Sequence, residues 1–223
     1  MGVSYLSPPR YEAEAKISTS VDYTLLPELE DYEEDRIINE AGWVMLSDAV
    51  LLDVQERAKS EGIAIPFEDF STRFSADRID DLWALRVVGR DGEKVSTLAN
   101  IWADLSFQHL SAAHAYALEA SAIRAAIAAL ESCQQEEIVT APALCETTDM
   151  DTLEMELDAL RTGLEDALAL SQGLNPASNY IINSYAVVPL SPNYQARGVM
   201  ALLGILLGLM VGLVALWFIG RRE

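Results

Sequence analysis

Residues 199–220 form an apolar run without a charged side chain, VMALLGILLGLMVGLVALWFIG, and Arg221 and Arg222 follow it directly. As a helix, about 22 residues at roughly 1.5 Å each extend about 33 Å, enough to cross a bilayer core of about 30 Å. A buried helix of a water-soluble core would need polar positions facing water, and this run has none. The sequence therefore predicts a transmembrane helix within residues 197–220, followed by a short cytoplasmic tail at 221–223.

The apolar run contains three glycines, Gly204, Gly208 and Gly212, at intervals of four residues. Glycines at this spacing lie on one helix face and allow a second backbone to approach closely. They are candidate positions for packing between membrane helices. Glycine is also common in membrane helices that do not associate, so the alternative of no role stays open.

The rest of the chain is strongly acidic, with 35 Asp and Glu against 15 Lys and Arg and a formal net charge of −20. Such a surface repels nucleic-acid phosphates and anionic lipid headgroups, so no nucleic-acid partner is expected. Six carboxylates fall within residues 28–35. They suit the solvated first turn of a helix, where acidic side chains complement the macrodipole, better than a cation site.

The positive-inside rule places the C-terminus in the cytoplasm, because Arg221 and Arg222 follow the run and Arg197 alone precedes it closely. The large N-terminal part would then lie outside. Residues 1–10 lack the basic region and apolar core of a signal peptide, and residues 2–7 suit the outer end of a first membrane helix that leads into a proline-stiffened exit. The alternative is a cytoplasmic domain on a C-terminal anchor.

Periodicity predicts an α/β base within residues 11–92. Residues 11–17 alternate polar and apolar side chains, as a half-buried strand does. Helical spacing follows around residues 32–38 and 45–58, and strand character returns at 69–74 and 82–88. The 82–88 segment is almost continuously apolar, which is typical of a central strand covered on both faces.

Residues 93–133 contain no glycine or proline and predict one long helix. After a loop at 134–148, a second helix is predicted over 151–171, so that residues 93–173 form an antiparallel helical hairpin. The expected apolar stripes are Leu98, Trp102, Leu105, Ala112, Tyr116, Ile123, Ile127 and Leu130 on the first helix, and Leu153, Leu157, Leu160, Leu164 and Leu168 on the second.

Residues 174–192 are predicted to hold a returning strand, at 179–188, and a proline-rich segment. The first and last strands would meet in one sheet with the hairpin inserted between them, giving an α+β fold. Cys133 and Cys145 flank the hairpin tip. They are too few for a zinc site, and a disulfide between them is possible outside the reducing cytoplasm.

No pattern of catalytic residues stands out. His109 and His114 are five positions apart, hence about 140° apart on a helix, and cannot form a metal-binding pair one turn apart. Phosphate-binding glycine motifs and a nucleophile elbow are missing. An enzyme is the least supported class, and no cofactor or metal is expected. Trp43, Trp83 and Trp102 could stack on sugars, although such tryptophans more often belong to a core.

Three passages resemble the bacterial chain-length determinants, the Wzz-type polysaccharide co-polymerases. They are PPRYEAEAKI at 8–17, VVGRDGEKVSTLANIWADLSFQHL at 87–110, and AVVPLSP at 186–192 leading into the glycines of the apolar run. The resemblance implies a membrane-proximal α/β base with a long helical protrusion and a homo-oligomeric ring. It also implies Pro189 and Pro192 as a rigid coupling segment, and the three glycines as helix-packing positions.

The function implied by this resemblance is a non-catalytic regulator of surface polysaccharide chain length or export. The protein would lie in the bacterial inner membrane with most of the chain extracytoplasmic, and its partners would be itself, membrane lipid and an integral-membrane polymerase. Only residues 2–7 could correspond to the family's first membrane helix, and no kinase activity is expected. Two alternatives remain: a membrane-anchored scaffold subunit of another complex, and a tail-anchored cytoplasmic adaptor.

Overall fold

The computed structural model describes residues 9–26, 28–134, 150–193, 208 and 210, and the described chain has a mixed α+β architecture with one very long helix. A single 3-10 turn at Phe67–Asp69 precedes the third helix. The elements in chain order are β1 (Tyr11–Val21), α1 (Asp31–Met45), α2 (Asp48–Ser60), α3 (Phe70–Arg73), β2 (Phe74–Ile79), β3 (Leu82–Gly89), α4 (Gly92–Gln134), α5 (Met150–Leu170) and β4 (Ser178–Ser184).

The strands form one antiparallel sheet in the order β2-β3-β1-β4. β1 lies between β3 and β4, with Tyr11 opposite Gly89 and Val21 opposite Ser178. The prediction that the first and last strands meet in one sheet is confirmed. Since β1 and β4 are antiparallel, the chain enters and leaves the sheet at the same end.

The sheet buries one face. Alternate residues of β1, among them Ala15 and Ile17, are fully buried beneath α1 and α4, whereas Glu14 lies on the other face. Arg86 of β3 also lies on that open face, 2.6 Å from Glu14 and 2.8 Å from Asp77. The prediction that β3 is covered on both faces is therefore wrong, because a charged cluster on the second face keeps it in contact with water.

The prediction of a strand at residues 69–74 is also wrong. Phe70 and Phe74 are four residues apart and stack with ring centroids 4.5 Å from each other, and Phe74 meets Trp102 edge-on at 5.3 Å. Because side chains at i and i+4 share a helix face, this pair anchors the short α3 to the core. Extended backbone begins only at Phe74.

The helical hairpin is confirmed over the residues that the structure describes. α4 has 43 residues and extends about 64 Å at roughly 1.5 Å per residue. α5 packs antiparallel to it through a cluster of Leu130, Leu153 and Leu157 and an ion pair of 3.1 Å between Arg161 and Glu131. The two buried stripes hold the hairpin together.

The stripe on each helix differs in part from the prediction. Tyr116 and Leu168, together with Ala112, face solvent, and the neighbouring alanines take their place in the interior. Small side chains let helices and sheet approach closely, so alanine outcompetes bulkier neighbours for the contact face. The buried alanines concerned are Ala113, Ala117, Ala120 and Ala167.

Two sequence predictions lie outside the described residues. Residues 199–220, with Gly204 and Gly212, are outside them except for Gly208 and Met210, both of which are exposed. Among the helices that the structure describes, none combines the length and apolarity needed to cross a bilayer. The transmembrane helix therefore stays a prediction. So does the disulfide, because Cys145 and the side chain of Cys133 are likewise outside.

Candidate functional site

Residues 185–193, which we call the return segment, link β4 to the apolar run and lie along the first part of α4. The phenolic hydroxyl of Tyr185 donates to Asp104 Oδ1 at 2.8 Å. One turn nearer the start of α4, the backbone N–H of Ala186 donates to Asn100 Oδ1 at 2.7 Å. The segment is therefore held on the helix by side chains rather than by a strand partner.

Asn100 is the main anchor of the return segment. Its amide also donates to the carbonyl of Ala186 at 3.1 Å, and Ser96 Oγ donates to the same carbonyl at 3.3 Å. The backbone N–H and carbonyl of Ala186 therefore both have hydrogen-bond partners, as a buried residue requires. The strand predicted to continue to residue 188 ends at Ser184, because Asn100 replaces the neighbouring strand as hydrogen-bond partner.

The resemblance includes Asn100 only as part of an Ala-Asn pair near the start of the long helix, and its role as an anchor was not predicted. The signal that could have identified it is a polar amide at a position that continues the buried face of an alanine- and leucine-rich helix. Such a side chain requires partners for both its donor and its acceptor.

Pro189 packs at the beginning of α4. A Cβ on Gly92 would lie 3.4 Å from the carbonyl oxygen of Pro189 and 3.5 Å from its ring Cγ, and 3.4 Å from Cδ1 of Tyr11. These are ordinary van der Waals distances, so Pro189 and Tyr11 lie directly beside the first residue of α4. Pro192 is half-buried beyond it. The coupling segment predicted from the resemblance thus lies between the start of α4 and the start of β1.

The two ends of the described domain meet at this point. The backbone N–H of Asn193 donates to the carbonyl of Arg10 at 2.7 Å, and its side-chain amide donates to Glu12 Oε2 at 2.7 Å. The segment leading into β1 and the segment leading to the apolar run are therefore fixed side by side.

Apolar side chains cover the outside of the return segment and of β4. Val187 is 81% exposed and Ile181 62% exposed, while Leu190 is fully exposed. We call these three residues the apolar ridge. β4 is an edge strand of the sheet within the described chain. An unpaired strand edge next to exposed apolar side chains is typical of a surface that contacts another molecule.

The open face of the sheet carries an ionic cluster centred on Arg86. Burial alone would raise the pKa of Glu14, but hydrogen bonds and charge from Arg86 and Lys16 outweigh it and hold the pKa below its ordinary value. The hydrogen bond to Glu14, together with the negative charges of Glu14, Asp77 and Glu12, raises the pKa of Arg86 despite its partial burial. The cluster satisfies its own charges and gives β1, β2 and β3 a fixed register.

Both histidines, and two of the three tryptophans considered for sugar stacking, are engaged in the fold. His109 lies 2.7 Å from Asp53 Oδ2, and His114 lies 3.0 Å from the carbonyl of Pro176. No three His, Cys, Asp or Glu side chains among the described residues are arranged to hold a metal ion. Trp43, by contrast, is 70% exposed on α1.

The other two tryptophans belong to the core. The indole N–H of Trp83 donates to the carbonyl of Ile38 at 3.2 Å, and that of Trp102 donates to the carbonyl of Met45 at 3.0 Å. Both donors are therefore satisfied in the interior. Of the three tryptophans considered for sugar stacking, these two are used for packing.

The acidic run of residues 28–35 begins α1, as predicted. Glu30 occupies the N-cap and forms a capping box with Glu33. The carboxylates are thus accounted for by the helix start, where they complement the exposed backbone N–H groups.

The polar side chains of Tyr180 and Glu40 are partly buried. Burial raises the pKa of Tyr180 to about 12, and burial also raises the pKa of Glu40 despite the opposing charge of Arg36. Glu40 Oε2 has no hydrogen-bond partner among the described residues. An ionised Glu40 is therefore unfavourable in the folded state.

No protein-family model matches the chain, and no curated protein matches it. Solved structures resemble it weakly, among them the following two. A full-length bacterial polysaccharide co-polymerase is 12% identical, covers 95% of this chain and 86% of its own, and superposes with a TM-score of 0.30. A point mutant of the Shigella flexneri lipopolysaccharide O-antigen chain-length regulator is 12% identical over 82% of this chain and 100% of its own, with a TM-score of 0.24. At these values the function has to be argued from the chain's own residues.

Proposed function

We propose that this protein is a non-catalytic, oligomeric regulator of surface polysaccharide chain length or export in the bacterial inner membrane, with most of the chain outside the cytoplasm. The observation that carries the proposal is the junction of Asn193 with Arg10. It brings both ends of the domain to one place, as required of a domain held on a membrane by the segments that flank it.

The distance to the predicted membrane helix is short. Five residues lie between Asn193 and Val199 at the start of the apolar run, so at most about 20 Å of extended chain separates the two. α4 also begins at this end, because Gly92 lies against Pro189. Its length of about 64 Å therefore runs away from the chain ends. This geometry supports a membrane-proximal base and a protruding hairpin.

The apolar ridge supports self-association. A membrane-proximal base with one exposed strand edge and exposed Ile181, Val187 and Leu190 offers a surface that a second copy can cover. The glycines of the apolar run would add packing between membrane helices. Pro189 and Pro192 would make the link between these two contact regions stiff, since proline fixes its own backbone angle.

The hydrogen bonds of three polar side chains support a role in assembly rather than in catalysis. His109, His114 and Asn100 each bond to a structural partner that fixes one element on another. The partners under this proposal are further copies of the chain, membrane lipid and an integral-membrane polysaccharide polymerase.

The test is deletion of the gene in the source organism, followed by separation of its surface polysaccharide by length. We expect the preferred length to be lost on deletion and restored by the wild-type chain. A chain with Gly208→Leu should restore it poorly, while Met210→Leu, two residues away, should restore it fully. An unchanged length distribution in the deletion strain would reject the function and favour the scaffold alternative.

A further inference from the structure

A cleft of about 540 Å³ opens beside the start of α4. Its walls come from the segment before β1, from α3, from the end of β3 and from the first turn of α4. The charged side chains that line it are Arg10, Asp69, Arg73, Arg90, Asp91 and Lys94.

The residues that line the cleft carry a net positive charge, although the protein as a whole is strongly acidic. Four of the 15 lysine and arginine residues of a chain with net charge −20 line it, against two carboxylates. Both carboxylates are engaged internally, since Asp69 lies 3.4 Å from Arg73 and Asp91 Oδ1 accepts backbone N–H groups at the start of α4. Arg10 and Arg90 form no ion pair with any described residue. An excess of positive charge therefore remains.

Arg73 is fixed in the wall of the cleft. Its Nε donates to the carbonyl of Val88 at 3.1 Å and its Nη1 to Asp69 at 3.4 Å. A Cβ on Gly89 would lie 3.2 Å from Nη2, so the absence of a side chain at Gly89 leaves room for this end of the guanidinium. A guanidinium held in this way loses little conformational freedom when it binds an anion.

The cleft lies where the domain meets the chain ends. Arg10 lines the cleft, and its carbonyl accepts the hydrogen bond from Asn193. Under the proposed membrane placement, on which this inference rests, the cleft is within about 20 Å of extended chain from the apolar run. Its distance from the membrane suits a ligand presented at the bilayer surface.

We propose that this cleft binds the phosphate headgroup of an anionic membrane lipid, with Arg73 as the fixed donor and Arg10 and Arg90 closing on the remaining oxygens. Arginine provides paired N–H donors that match phosphate oxygens. The overall acidic charge of the protein opposes such lipids elsewhere, so contact with anionic lipid would be confined to this cleft.

The test is calorimetric titration of the full chain, purified in a neutral detergent, with dihexanoyl phosphatidate at low salt. The test variant carries Arg10→Gln and Arg90→Gln, which change exposed side chains and should leave the fold intact. The charge-matched control carries Arg124→Gln and Arg161→Gln on the hairpin. Dihexanoyl phosphatidylcholine and inorganic pyrophosphate are titrated in parallel.

We expect the wild-type chain and the control to bind phosphatidate with equal affinity. The test variant should bind about tenfold more weakly for each arginine removed, which corresponds to roughly 1.4 kcal/mol each. Higher salt should weaken binding. Equal affinity of the test variant and the control, or equal affinity for phosphatidylcholine and phosphatidate, would overturn the proposal. Binding of pyrophosphate without binding of phosphatidate would overturn the membrane source of the phosphate.

This experiment is independent of polysaccharide assembly, because it measures binding to the purified chain. An unchanged polysaccharide profile after gene deletion would therefore reject the proposed function while leaving the headgroup site to be judged by its own titration.

Discussion

Asn100→Ala should release the return segment from α4. The substitution removes both hydrogen bonds between the Asn100 amide and Ala186. The carbonyl of Ala186 keeps its bond from Ser96, but the buried N–H loses its acceptor. An orphaned buried donor costs about 1–3 kcal/mol and the second lost bond about 1 kcal/mol, while alanine returns about 0.5 kcal/mol of helix propensity. The net loss is about 2 kcal/mol.

The loss should be measurable in two ways in the full chain in neutral detergent. The thermal midpoint should fall by about 4–8 °C, as expected for about 2 kcal/mol in a domain of this size. Hydrogen exchange in the peptide covering residues 185–193 should accelerate by up to about thirtyfold, since 1.4 kcal/mol corresponds to a factor of ten. Exchange in α5 should change only as much as global stability does.

The matched control is Gln108→Ala, at an exposed position of the same helix. It should leave the free energy of unfolding within about 0.5 kcal/mol of wild type, or raise it slightly through helix propensity. If Asn100→Ala were as mild as this control, or if exchange rose uniformly without a local effect at 185–193, the assignment of Asn100 as the anchor would be refuted.

Three further predictions concern packing and charge. Gly42→Ala should destabilise by about 1–3 kcal/mol in chemical denaturation because its Cβ would overlap the Trp83 ring, lying 2.7 Å from Cζ2. Gly163→Ala, whose Cβ would have its nearest neighbour at 3.8 Å, should stabilise by up to about 1 kcal/mol. Equal effects of the two substitutions on the free energy of unfolding would contradict this packing. Glu40→Gln should raise the thermal midpoint at pH 7 but not below pH 4.5. The reason is that the pKa of Glu40 is raised by burial in the folded state, so the wild-type protein loses stability as pH rises past 4.5. A difference in thermal midpoint that stays the same at all pH values would refute this. Arg86→Gln should lower the free energy of unfolding by about 1–2 kcal/mol at pH 7. This loss should shrink as pH falls below 4.5, because the pKa of Glu14 is depressed in the folded state and its protonation removes the ionic interaction with Arg86. A loss that does not change with pH would count against the ionic cluster.

The sequence predicted the elements whose patterns are long and regular. α4 follows from a long run without interior glycine or proline, and α5 follows from regularly spaced leucines despite the glycine at position 163. The pairing of β1 with β4 follows from two alternating segments near the ends of the domain. Where the prediction failed, a tertiary contact decided. Phe70 reads as part of a strand by composition, but its stacking on Phe74 selects a helical turn.

The candidate site was predictable only in part. Pro189 and Pro192 are conspicuous because proline limits the backbone wherever it stands. The role of Asn100 depends on a hydrogen bond to a residue 86 positions later, and no local pattern indicates such a partner. The basic cleft is lined by arginines from separate segments of the chain, including Arg10 and Arg90. The net charge of −20 gave no indication of such a positively charged site.

Under the proposed function, this protein acts through assembly of membrane-held copies. The most direct measurement is electron microscopy of the full chain extracted from its own membrane in a mild detergent. The account predicts a closed ring of identical copies with helical hairpins projecting from a common base around a central space. Single copies, or one copy within an assembly of other proteins, would contradict it.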